Sequence, residues 1–69
     1  MEDLSQAAEV AQASLQQDPD RNNPYAIFLG PINGERMSAS EIEHGLRELE
    51  ATGLATHDFY GWKLVDPAS

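Results

Sequence analysis

The chain has 69 residues with twelve acidic and four basic side chains, a net charge of −8, and no cysteine. At this length folding buries only about 60% of the surface that the unfolded chain exposes, so one small domain of marginal stability is expected, without disulfides or thiolate metal sites to staple it. Residues 1–37 carry six acids and two bases (net −4), and residues 38–69 carry the same (net −4). Neither half is therefore a basic module, and a surface with four cations makes a poor match for a phosphate backbone.

No apolar run approaches the length of a membrane span, and the Met1-Glu2-Asp3 start lacks the basic and apolar segments of a signal peptide. A cytoplasmic protein that does not engage a membrane is the expectation. The missing stabilisation would come from a second subunit or a bound partner.

Residues 3–17 read as an amphipathic helix, with Leu4, Ala7, Ala8, Ala11 and Leu15 on one face and Asp3 and Gln6 placed like a capping box. Its alanine stripe lets a second helix backbone come close. The turn-forming run Asp18-Pro19-Asp20-Arg21-Asn22-Asn23-Pro24 follows. Tyr25-Ala26-Ile27-Phe28-Leu29, five apolar residues between breakers, is predicted as a short buried strand, with a single helical turn as the alternative. Gly30-Pro31-Ile32-Asn33-Gly34 breaks the chain again, with Asn33-Gly34 suited to a tight turn. Glu35-Arg36-Met37 offers at most a stub strand.

A helix over residues 39–52 carries the clearest signals. Ser38 and Glu41 form a capping box, Met37 and Ile42 a hydrophobic staple, and Ile42, Leu46 and Leu49 the buried stripe, while Gly53 sits where a left-handed residue ends a helix. Gly45 lies on the buried face at a cost of about 1 kcal/mol relative to alanine, which implies a close neighbour such as Tyr25, Phe28 or the first helix. Residues 54–57 and 62–65 read as two strands of a hairpin joined by Asp58-Phe59-Tyr60-Gly61. The fold class predicted is α+β, one domain over residues 1–69, in the order helix, strand, helix, strand, strand.

The run Gly45-Leu46-Arg47-Glu48-Leu49-Glu50-Ala51-Thr52-Gly53-Leu54-Ala55, followed by Gly61-Trp62-Lys63-Leu64, resembles the recognition helix, second strand and wing of winged-helix transcription regulators. That family carries a separate helix before the recognition helix. Here Tyr25 to Met37 holds two glycines and Pro31, which makes the fold a reduced winged helix. The resemblance places Glu41, His44, Arg47, Glu48 and Ala51 on the groove-facing side and implies a dimeric DNA-binding regulator. Among those side chains only Arg47 is a reliable cation, and Glu43 lies four residues before Arg47 as in a solvated, salt-bridged helix face. In size, acidity and compact α/β layout the chain also resembles small phage-encoded proteins that bind and disable bacterial host factors, quorum-sensing activators among them.

No catalytic constellation is expected: His57-Asp58 runs into a turn, His44 and His57 do not match metal-ligand spacing, and no glycine-rich phosphate cradle joins a strand to a helix. No metal or cofactor is predicted. Phe59, Tyr60 and Trp62 crowd the hairpin tip, where they cannot all face the core, so Phe59 or Tyr60 should project while Trp62 and Leu64 pack inward and Lys63 points the other way. The candidate partner-binding residues are Phe59, Tyr60, Glu43, His44, Arg47 and Glu48. The expected partner is a protein with a basic surface, bound by a small acidic regulator or inhibitor; a winged-helix DNA-binding regulator and a viral structural or assembly part are the alternatives.

Overall fold

The computed structural model describes residues 4–34 and 36–65. Three helices, α1 (Gln6–Gln17), α2 (Pro24–Phe28) and α3 (Ala39–Ala51), precede an antiparallel hairpin of β1 (Ala55–Asp58) and β2 (Gly61–Leu64). The class is α+β in a single domain, as the sequence predicts.

The segment predicted as a strand at 25–29 is instead the helix α2. Alternation would have placed Tyr25, Ile27 and Leu29 on one face, whereas Ile27 is fully buried and Tyr25 and Leu29 are exposed. Local chemistry decides the outcome. Asn23 is an N-cap whose side chain accepts from the Ala26 amide at 2.9 Å, and Pro24 takes the first helical position, where its missing N–H costs nothing.

Helix α1 starts three residues later than predicted. Asp3 lies outside the described residues; the cap is Ser5, whose hydroxyl accepts from the Ala8 amide at 3.2 Å. The predicted staple and cap of α3 are present. Ser38 accepts from the Glu41 amide at 3.2 Å while Glu41 Oε1 accepts from the Ser38 amide at 3.3 Å, and Met37 and Ile42 are both buried. The far end closes as a Schellman motif one residue short of the predicted end: Gly53 has φ +81°, its amide donates to Glu50 O, and the Leu54 amide donates to Leu49 O at 2.8 Å.

The core lies between α1 and α3, with Ala8, Ala11 and Leu15 facing Ile42, Leu46 and Leu49, and with Ile27, Ala55 and Trp62 closing it. Gly45 is the point of closest approach. A Cβ there would overlap the Ala7 carbonyl and come within 2.6 Å of the Ala8 amide nitrogen, so the close neighbour is the α1 backbone rather than Tyr25 or Phe28. The helices can pack so tightly because α1 contributes alanines, and each fully buried leucine or isoleucine then contributes about 2 kcal/mol.

The loop between α2 and α3 is tied by one side chain. Asn33 is fully buried; its Nδ2 donates to Phe28 O and Met37 O, both at 3.0 Å, and its Oδ1 accepts from the Met37 amide at 3.1 Å. The next residue, Gly34, has φ +56°, as the Asn-Gly turn expectation requires. Met37 lies outside any strand, so the stub pairing does not form at Arg36 and Met37; Glu35 lies outside the described residues.

Candidate functional site

The hairpin is shorter in its loop than predicted, because Asp58 and Gly61 belong to the strands and face each other across the ladder. Only Phe59 and Tyr60 remain at the tip. Asp58 Oδ1 accepts from the Tyr60 amide at 2.8 Å, a local turn that Asp favours, and Gly61 supplies φ +129°. In the ladder Ala55, His57, Trp62 and Leu64 share one face, and Thr56, Asp58 and Lys63 the other. Trp62 is buried and Leu64 half-buried, while Lys63 is exposed on the opposite face, 3.8 Å from Asp58. His57 stacks on Trp62 with ring centroids 4.6 Å apart and screens it from water.

Both Phe59 and Tyr60 project. They are 94% and 82% exposed and meet edge to face at 5.5 Å, away from the core. The tip that carries them is anchored from a distant segment. The Leu54–Val65 hydrogen bond sets the ladder so that the Trp62 amide points outward, and there it donates to Asn22 O at 2.7 Å. Asn22 Nδ2 also donates to Tyr60 O at 3.0 Å. A Cβ on Gly61 would sit 2.6 Å from Asn22 O, so glycine is required by both conformation and contact. A shallow slot of 240 Å³ opens beside this joint, lined by Pro19, Asn22, Asp58, Tyr60, Gly61, Trp62 and Lys63.

The α3 residues proposed as binding groups are more committed to the chain itself. Glu43 and Arg47 form an ion pair at 3.1 Å, exposed on both sides, which is worth a fraction of a kcal/mol. His44 is exposed. Glu48 does not pair with His44: its Oε2 accepts from the Ser5 amide at 2.9 Å. In a capping box that acceptor comes from the third residue of the same helix, which in α1 is Ala8 and has none to offer. Glu48 fills the role from α3 and so clamps the start of α1. The Ser5 backbone amide first, and then the Ser5 hydroxyl, hold the Glu48 carboxyl below its ordinary value, with burial opposing.

Three of the four cations lie beside acids. Arg21 lies 3.4 Å from Asp18 and donates to Ala26 O, Arg47 pairs with Glu43, and Lys63 sits near Asp58. Among the described residues, no group of three or more histidines, cysteines or carboxylates could hold a metal ion, and no helix is long and apolar enough to cross a membrane. Of the six residues singled out from sequence, the fold joins Phe59 to Tyr60 and Glu43 to Arg47, and uses Glu48 to hold α1. Asn22 was missed, since nothing in a turn-rich linker announces a contact 38 residues away. Tyr25 on α2 and Leu29 at its C-cap, 62% and 59% exposed, were also missed because the strand reading placed them inside. The chain matches no protein family, no curated protein and no solved structure.

Proposed function

We propose that the chain is a small acidic regulator or inhibitor that binds another protein, with Phe59 and Tyr60 as its anchors. One observation carries this reading: two adjacent aromatic rings stand almost wholly in water on a tip that Asn22, Asp58 and Gly61 hold in place. Rigid aromatic anchors lose little conformational freedom on docking and supply much of the energy at protein interfaces. The net charge of −8 favours a partner with a basic surface, since complementary potentials speed encounter and reject wrong partners. A narrower form, a phage-encoded anti-activator of a host transcription factor or ATPase, is supported by the resemblance in size and acidity.

Affinity capture from the native host with the parent chain and with a Phe59→Ala, Tyr60→Ala double variant tests the reading. A protein held by the parent and lost by the variant is the expected outcome. An identical captured set would remove the tip from the interface.

A second reading, a winged-helix DNA-binding regulator, is supported by α2, which supplies a helix packed against α3 where that family has one. The paired state of Arg21, Arg47 and Lys63 weighs against it. Duplex binding measured as salt is lowered separates the two: weak binding with a shallow salt dependence is expected, whereas tight binding with a steep slope would favour DNA.

A further inference from the structure

We propose that Asn33-Gly34 is a self-modification site that the fold holds shut, so that time spent unfolded converts the chain irreversibly into a form that cannot refold. Of all sequence contexts, asparagine followed by glycine is the most prone to intramolecular deamidation, because glycine leaves its backbone nitrogen unhindered. The Gly34 nitrogen gives up its proton to solvent base and attacks Asn33 Cγ; an N–Cγ bond forms, the bond from Cγ to the side-chain nitrogen breaks, and that nitrogen takes a proton back from solvent and leaves as ammonia. Water then opens the five-membered imide at either carbonyl, giving aspartate or its backbone-shifted isomer.

The native structure blocks each requirement. Asn33 is fully buried, which excludes the water and base that the reaction needs. Three hydrogen bonds, to Phe28 O, Met37 O and the Met37 amide, fix the carboxamide so that Cγ cannot rotate toward Gly34 N. The reactive pair is also not optional for the fold. Nδ2 must donate to two carbonyls at once, which a carboxamide can do and a carboxylate cannot, and Gly34 holds φ +56°, where other side chains are strained.

The product is incompatible with the same pocket. An aspartate at 33 would aim a buried negative charge at Phe28 O and Met37 O and leave both carbonyls without a donor. A domain of this size opens often, so each excursion exposes Asn33 to a reaction whose product stays out of the native pool.

The experiment is to age the full chain at neutral pH in buffer and in guanidinium chloride, following each asparagine by peptide mapping. Asn22, followed by Asn23, is the slower internal reference in the denatured sample. Conversion at Asn33 is expected to be at least about tenfold slower in buffer, the protection given by an opening free energy of about 1.4 kcal/mol. After dilution from denaturant, chains modified at 33 should stay protease-sensitive while unmodified chains regain resistance. The Asn33→Asp chain should likewise fail to give the parent's cooperative transition at neutral pH. Equal rates at Asn33 in the two conditions, or an Asn33→Asp chain as stable as the parent, would overturn the proposal.

Discussion

The α1–α3 seam and the hairpin tip are built on opposite terms. At the seam Gly45 is buried against the α1 backbone with no room for a methyl group, and Ala8, Ala11, Ile42, Leu46 and Leu49 around it are fully enclosed. At the tip two of the largest side chains in the molecule touch little but each other and water. A 69-residue chain has few apolar residues to bury, and placing two of them outside withdraws roughly 3 to 6 kcal/mol of available burial. The contrast teaches that stability is concentrated between two helices so that the hairpin end can face outward.

The largest expected effect is at the seam. Gly45→Leu would drive a side chain into the Ala7 carbonyl, and because both sides of the contact are backbone, neither can yield by changing a rotamer. A loss of about 3 kcal/mol or more is expected from a total on the order of 5 kcal/mol, leaving little margin. Circular dichroism during denaturant titration checks it, and a midpoint equal to the parent's would mean that the helices are not in contact there.

Next comes the cap of α3, which supports one half of the seam. Ser38→Ala removes the acceptor for the Glu41 amide and is expected to cost about 1 kcal/mol, lowering the melting midpoint by roughly 4–8 °C. An unchanged midpoint would show that packing alone holds the first turn.

Glu48 joins the seam's two helices through charge, so its effect should depend on pH. Its folded pKa lies below the ordinary carboxylate value of 4.5, so its contribution is present above that value and is lost as pH falls through the folded one. In Glu48→Gln the neutral amide oxygen keeps an acceptor for the Ser5 amide but loses the charge. Parent and variant should therefore differ in melting midpoint at neutral pH and converge in acid. A gap independent of pH would mean that the carboxylate's charge does not act on α1.

Much of the seam is legible in the sequence, because its signals are periodic or local. Ile42, Leu46 and Leu49 recur at helical spacing, Ser38 and Glu41 form a cap within one turn, and Gly45 announces a close neighbour without naming it. The α2 segment is not legible by periodicity, since five apolar residues fit a strand and a helical turn equally well. Asn23-Pro24 just before it holds the deciding cap, and reading that pair as part of a linker produced the strand. Asn33 and Asn22 escape for different reasons: Asn33 serves Phe28 and Met37 within an irregular loop that carries no periodic signal, whereas Asn22 meets the Tyr60 carbonyl, 38 residues on, only through tertiary packing. At the tip, crowding of aromatics predicts exposure, but which ring projects depends on a loop two residues shorter than expected.

The smallest effect on stability is expected where the residues are most conspicuous. Replacing Phe59 and Tyr60 together by alanine removes an edge-to-face contact that is open to water, so unfolding free energy should change by no more than about 0.5 kcal/mol. The turn itself should survive, because Asp58, Gly61 and Asn22 hold it through backbone groups that alanine retains. Loss of partner capture at unchanged stability would assign the rings to recognition. A drop of more than about 1 kcal/mol would instead mean that the rings support the fold, and the case for an anchor in waiting would lose its physical basis.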